Sequence, residues 1–198
     1  MPASNLQIKN LGTEKTTVDT TDLYPLQESG GTTRRIQAQN LLKDQLFPAT
    51  AQLSCVVNIQ PIDTNELLVG FDIQDEILNV THSTITNPEN ITIQTAGKYH
   101  FSASAQVGKT TGASLEWADI WFKKNSVAIP NSNARNTVKA TDDTKVITIT
   151  QNITLAASDV LNVAMSISTA GNGVGFISTT PTVGPVIPSI MFSLHRVG

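Results

Sequence analysis

Gly97-Lys98-Tyr99-His100-Phe101-Ser102-Ala103-Ser104-Ala105-Gln106-Val107 decides the fold. Tyr99, Phe101, Ala103, Ala105 and Val107 alternate without a break with Lys98, His100, Ser102, Ser104 and Gln106. Successive side chains of an extended chain point to opposite faces, so this period of two means a half-buried strand. The rhythm continues outward on both sides. Before it, Leu53, Cys55, Val57 and Ile59 share one parity, then Leu67, Val69, Phe71 and Ile73, then Ile91 and Ile93. After it come Ile147, Ile149, Ile153 and Leu155, then Leu161, Val163, Met165 and Ile167 beyond a Ser158-Asp159 turn, and last Ile190, Phe192 and Leu194.

One run departs from the alternation. In Leu115-Glu116-Trp117-Ala118-Asp119-Ile120-Trp121-Phe122, large apolar groups occupy both parities. A strand apolar on both faces is either sandwiched centrally or buried against another subunit. Pro181-Thr182-Val183-Gly184-Pro185 lacks the N–H donors of a central strand and is expected to be a loop. Eight or more short strands separated by turn residues predict a sandwich or barrel, and no fixed-period repeat points to a solenoid or propeller.

Composition agrees with an all-β chain. Of the 198 residues, 39% are hydrophobic and 15% charged, which is too apolar and too weakly charged for charge-driven disorder. Thr, Ser and Asn recur throughout, and they suit strand faces and turns rather than helices. Net charge is −3, with no basic cluster larger than Arg34-Arg35 or Lys123-Lys124, so nucleic acid is not an expected partner. The single Cys55 forms no intrachain disulfide and lies in an apolar run, as a buried thiol does. No stretch reaches the roughly 18 apolar residues of a membrane span, and Met1-Pro2-Ala3-Ser4-Asn5 has no secretory character. Synthesis in a cytoplasm and no membrane partner are the expectations.

Residues 1–47 are of another kind. Apolar positions are sparse and turn signals stand at Asn10-Leu11-Gly12, Tyr24-Pro25 and Ser29-Gly30-Gly31. The segment is too poor in apolar residues to close its own core, so it is expected to be an extended docking arm. Fully stretched, it would reach on the order of 150 Å. Residues 48–198 carry the period-two pattern and form the second domain.

The order of these runs resembles the trimeric jelly roll of the tumour necrosis factor family and of complement-type globular heads. Gly97-Lys98-Tyr99-His100-Phe101 is similar to that family's Gly-x-Tyr-x-Phe strand. Trp121-Phe122-Lys123-Lys124-Asn125 is similar to its next strand, which ends at a polar turn. Ile153-Thr154-Leu155-Ala156-Ala157-Ser158-Asp159-Val160-Leu161 is similar to its following hairpin, with Ser158 where the family usually has Gly. Pro188-Ser189-Ile190-Met191-Phe192-Ser193-Leu194 is similar to the closing strand, without the usual aromatic-Gly pair. Domains of this type are common on bacteriophage heads and tails. The leader Asp22-Leu23-Tyr24-Pro25-Leu26-Gln27-Glu28-Ser29-Gly30-Gly31-Thr32-Thr33-Arg34-Arg35-Ile36 is similar to that of phage fibre and head-decoration proteins.

The resemblance implies an all-β jelly-roll sandwich, trimeric, with an extended N-terminal arm. Tyr99, Phe101, Trp117 and Trp121 are the candidate trimer-interface or core anchors. Leu23, Tyr24, Leu26, Arg34, Arg35 and Ile36 are the candidate capsid-docking residues of the arm. The implied function is non-enzymatic: a capsid-decorating or cement protein on the virion surface, partnered by itself and by the major capsid protein or another virion protein. The alternative is a short head or tail fibre binding a host-surface glycan or protein receptor.

Catalytic and metal chemistry find little support in the pattern. His82, His100 and His195 are scattered, and Asp72, Asp75 and Glu76 lack the Gly and alternating oxygens of a calcium loop. Asp142-Asp143 fit a turn, while Glu116 and Asp119 have opposite parity and cannot flank one sugar together. Gly171-Asn172-Gly173-Val174-Gly175 is followed by no helix and is expected to be a flexible hairpin rather than a phosphate loop. No cofactor and no metal are expected.

Overall fold

A computed structural model describes residues 23–27, 33–37, 48–141 and 143–198. The chain divides into two units, Met1–Leu46 and Phe47–Gly198. In the first, β1 (Leu23–Gln27) and β2 (Thr33–Gln37) pair antiparallel, with Tyr24 opposite Ile36, Pro25 opposite Arg35 and Leu26 opposite Arg34. All six candidate docking residues fall on this hairpin, not on one continuous extended run.

Among the described residues the second unit holds thirteen strands in two antiparallel sheets. These are β3 (Thr50–Cys55), β4 (Leu67–Leu68), β5 (Ile73–Leu78), β6 (Val80–Thr81), β7 (Ile91–Ile93), β8 (Gly97–Lys109) and β9 (Glu116–Lys124), followed by β10 (Val127–Ala128), β11 (Ala134–Val138), β12 (Lys145–Leu155), β13 (Val160–Ile167), β14 (Val174–Phe176) and β15 (Ile190–Arg196). The first sheet runs β12-β8-β15-β3-β5, with β14 also on β8; the second runs β10-β9-β13-β7-β6, with β11 on β9 and β4 on β13. The first and last long strands, β3 and β15, are neighbours, while β8 to β9 and β12 to β13 each cross between sheets. This is a jelly-roll β-sandwich.

The core lies between the sheets and is fed by the inward parity of each long strand. Tyr99, Phe101, Ala103, Ala105 and Val107 of β8 are all fully or almost fully buried. Phe101 meets Phe122 of the opposite sheet edge-on at 4.8 Å between ring centres, and Phe192 of β15 joins both at 6.4 Å. Edge-to-face packing sets the positive ring edge against the negative face, and the small Ala103 and Ala105 beside it leave room for the rings. Tyr99 is buried as well, with its hydroxyl donating to the Thr95 carbonyl at 2.5 Å.

Two expected stripes are shorter than their sequence pattern. β3 ends at Cys55, because the Val56 N–H turns to the Asp72 carboxylate at 3.0 Å, and Val57 is left 56% exposed. Val69 and Phe71 are buried as expected but lie between β4 and β5, outside any strand. Their backbone N–H groups donate instead to Val163 O and Pro88 O. The Gly171–Gly175 run does reverse the chain, with φ of +80° at Gly171 and +67° at Gly173, but its end enters β14 and pairs with β8.

Ser158 holds φ of +72°, the left-handed region in which a Cβ crowds the backbone. Its N–H still bonds to Ile93 O, so the turn forms at a steric cost. Ser158→Gly is expected to raise stability by roughly 0.5–1 kcal/mol, the relieved strain exceeding the entropy that glycine gains on unfolding. A lowered midpoint in urea would contradict this reading of the turn.

Candidate functional site

The outer face of the first sheet is a carpet of short polar side chains. Its cross-strand neighbours bond to one another: Ser102 Oγ to Ser193 Oγ at 2.9 Å, Ser104 Oγ to Thr148 Oγ1 at 2.8 Å, and His100 Nδ1 to Asn152 Oδ1 at 3.0 Å. His195 lies directly opposite His100, with ring centres 5.0 Å apart. Gln52, Ser102, Ser104, Met191 and Ser193 line a shallow groove of about 290 Å³, and Met191 is 47% exposed. A hydroxyl already paired within the sheet loses little when water is excluded, so this face dehydrates at lower cost than its polarity implies.

β12 borders that face. It pairs with β8 over eleven positions, Lys145 opposite Val107 through Leu155 opposite Gly97, without a register shift. Among the described residues no strand pairs with its other edge. Natural edge strands are guarded by charges, proline or bulges. β12 carries one charge, Lys145 at its first residue, and is otherwise met by side-chain bonds to the β11 side: Lys145 Nζ donates to Thr137 O at 2.7 Å, Asn136 Nδ2 to Val146 O at 3.5 Å and Gln151 Nε2 to Asn131 O at 3.2 Å.

The candidate anchors separate into two groups. Tyr99 and Phe101 belong to the core of a single sandwich and are not available to a neighbouring copy. Trp117 and Trp121 are half-buried on the outer side of β9. The Arg135 guanidinium sits 3.7 Å above the Trp117 ring while bonding both oxygens of Asp119, at 2.7 and 2.8 Å. Trp117 is thus capped by its own chain. The side chains of Leu23, Tyr24, Leu26, Arg34, Arg35 and Ile36 lie outside the described residues.

Each described carboxylate weighed for catalysis is held in a structural bond. Asp119 is bound by Arg135. Glu116 is buried at the end of β9, where Ser114 Oγ and Asn172 Nδ2 each donate at 2.7 Å and Ser168 Oγ donates to its second oxygen. Lys109, also buried, donates to Ser114 O at 2.9 Å, so the loops after β8 and β13 close around one carboxylate. The Ser168 and Ser114 hydroxyls bring the Glu116 pKa down to about 2, against the opposing effect of burial. At the opposite end, Asp159 accepts from Asn125 Nδ2 and the Ala156 N–H, each at 2.7 Å, and pairs with Lys124 at 2.8 Å. Burial pushes Asp159 up, but the Lys124 ammonium and these donors outweigh it and its pKa is lowered.

Asp72 and Asp75 are used by β3, accepting from Val56 N and from Ser54 Oγ. Asp143 accepts from the Lys139 N–H at 2.9 Å; Asp142 lies outside the described residues. Cys55 is buried, and desolvation pushes its thiol pKa up. His82 is bonded to Pro88 O at 2.9 Å. Among the described residues no three His, Cys, Asp or Glu side chains converge, and no helix is long and apolar enough to cross a membrane.

The pairing of His100 with His195 and the closure of two loops on Glu116 were not foreseen from sequence. Both join residues far apart in the chain, and only strand register brings them together.

No protein-family model and no curated protein matches the chain. Among solved structures, the crystal structure of murine APRIL at pH 8.0 is similar, at 9% sequence identity and a TM-score of 0.45, over 76% of this chain and 99% of that chain.

The Glu116 cluster makes a signed prediction. A carboxylate whose pKa is lower folded than unfolded stabilises the fold above its unfolded pKa, and that contribution disappears as pH falls toward the folded value. Wild-type stability is therefore expected to drop between about pH 4.5 and pH 2 more steeply than that of Glu116→Gln. Chemical denaturation across this range reads the difference; parallel curves would show that the hydroxyls do not hold the charge.

Proposed function

We propose that this chain is a non-enzymatic structural protein of a virus particle, a trimeric capsid-decorating or cement protein. In this reading the sandwich associates through the Ser102, Ser104 and Ser193 part of the β8 sheet's outer face and the β12 edge, leaving the His100 end of that face open, while the N-terminal unit docks onto the major capsid protein or another virion protein. The observation that carries it is the self-bonded Ser/Thr face beside β12, an eleven-residue strand whose outer edge pairs with no described strand and is touched there only by side-chain bonds to the β11 side. Such an edge invites pairing with any exposed strand unless another surface covers it. Another copy of the chain is always present at equal concentration, and a head-to-tail contact of the edge with a different patch of the next copy, closing about a three-fold axis, leaves no edge for further growth. An obligate interface of this kind buries on the order of a few thousand Å². Binding energy spread over neighbouring capsid subunits would then resist shell expansion mechanically, with no chemical step.

One observation favours the second reading, a short head or tail fibre that binds a host-surface glycan or protein. Ile62, Ile85 and Val183 are 94%, 89% and 89% exposed. The strand directions put the loops carrying them at the end of the sandwich where β3 finishes, opposite the end where Pro48 enters. Host adsorption lost on changing these three to Ser, with capsid strength unchanged, would favour the fibre.

For self-association, light scattering of the full chain is expected to give three times the chain mass. Ser193→Lys, which sets an ammonium in the middle of the face, is expected to give one chain mass with an unchanged circular dichroism spectrum. A wild-type chain that is monomeric at micromolar concentration contradicts the trimer. Removal of residues 1–46 is expected to leave the mass ratio at three and abolish particle attachment; attachment that persists contradicts docking by the N-terminal unit.

A further inference from the structure

We propose that His100 and His195 together form a two-imidazole site for a late first-row divalent ion of the Cu²⁺, Ni²⁺ or Zn²⁺ class, on the outer face of the first sheet. The sequence expectation was no metal, because the two histidines belong to different runs. Register overturns that separation: His195 of β15 is the direct cross-strand partner of His100 of β8, and both side chains stand on the outward parity. The inference does not rest on the trimeric reading.

Ring spacing is the first support. An imidazole nitrogen binds such ions at about 2.0–2.1 Å. Two rings on one ion then have centres about 4.5–5.2 Å apart for ligand angles between 90° and tetrahedral. The observed spacing is 5.0 Å, with the planes at 46°. Two paired strands deep in a five-strand order hold the rings there, so little ordering cost remains for the ion to meet.

Tautomer control is the second. Asn152 Oδ1, on the neighbouring β12, lies 3.0 Å from His100 Nδ1 and accepts its proton. The lone pair is then on Nε2, the arrangement by which an outer partner orients a metal-binding histidine. His195 is exposed and free to turn its ring toward the same ion. A site offering nitrogen rather than oxygen selects late transition ions over Ca²⁺ and Mg²⁺, with Cu²⁺ bound most tightly.

Titrating the full chain with CuSO₄ and with ZnCl₂ tests the site, read by calorimetry and, for Cu²⁺, by electron paramagnetic resonance. One ion per chain and hyperfine coupling to two imidazole nitrogens are expected. His100→Gln and His195→Gln should each weaken binding about tenfold or more, His82→Gln should leave it unchanged, and Asn152→Asp should tighten it. Circular dichroism of the ion-free variants checks their fold. Should one fail to fold, protection of His100 and His195 in wild-type protein from diethyl pyrocarbonate by Zn²⁺ reads the same pair. No binding at millimolar ion, coupling to a single nitrogen, or affinity indifferent to both histidine variants overturns the proposal.

Discussion

The sandwich depends on the pairing of β8 with β12 on one side and β15 on the other. β8 is the longest strand, and every inward residue of it from Tyr99 to Val107 is buried. That parity aims Phe101 at Phe122 of the opposite sheet and Phe192 at both, which fixes how the sheets face one another. Because a slip of one residue would turn the whole apolar set outward, the same constraint fixes the outer face. His100, Ser102 and Ser104 stand in line there because Tyr99, Phe101 and Ala103 must point inward.

Both ends of the sandwich are closed by carboxylates rather than by apolar caps. Glu116 gathers the loops after β8 and β13 at one end, and Asp159 ties the β9–β10 turn to the β12–β13 turn at the other. Each is buried and saturated by donors, which is the condition under which a buried charge is tolerated. The β9–β10 turn itself needs positive φ at Asn125 and Ser126, and Asn125 fills the first position while also donating to Asp159. Acidic residues that a composition table would offer to catalysis are thus part of the frame.

Much of the fold was legible because long strands bury one face. β8, β12 and β15 declare themselves by alternation, and β9 by its apolar groups on both parities. The rest was hidden for physical reasons. β4, β6 and β10 are two residues long and cannot show a period. β11, Ala134-Arg135-Asn136-Thr137-Val138, fully buries only Val138. Val57 continued an apolar rhythm that the Asp72 side chain interrupts, a contact sixteen residues away that local pattern cannot encode. The candidate site was less legible than the fold. Trp117 and Trp121 drew attention by size, yet Trp117 is covered by Arg135, whereas the small Ser102, Ser193 and Thr148 that shape the outer face looked unremarkable in sequence.

The central claim is that the free edge of β12 is covered by another copy of the chain. Residue-resolved amide hydrogen exchange along Lys145–Leu155, at high and low protein concentration, tests it most directly. Amides facing away from β8 should exchange slowly when the protein is concentrated and approach loop rates on dilution below the dissociation constant. Edge amides that exchange at loop rates at every concentration, while those bonded to β8 stay protected, would contradict it.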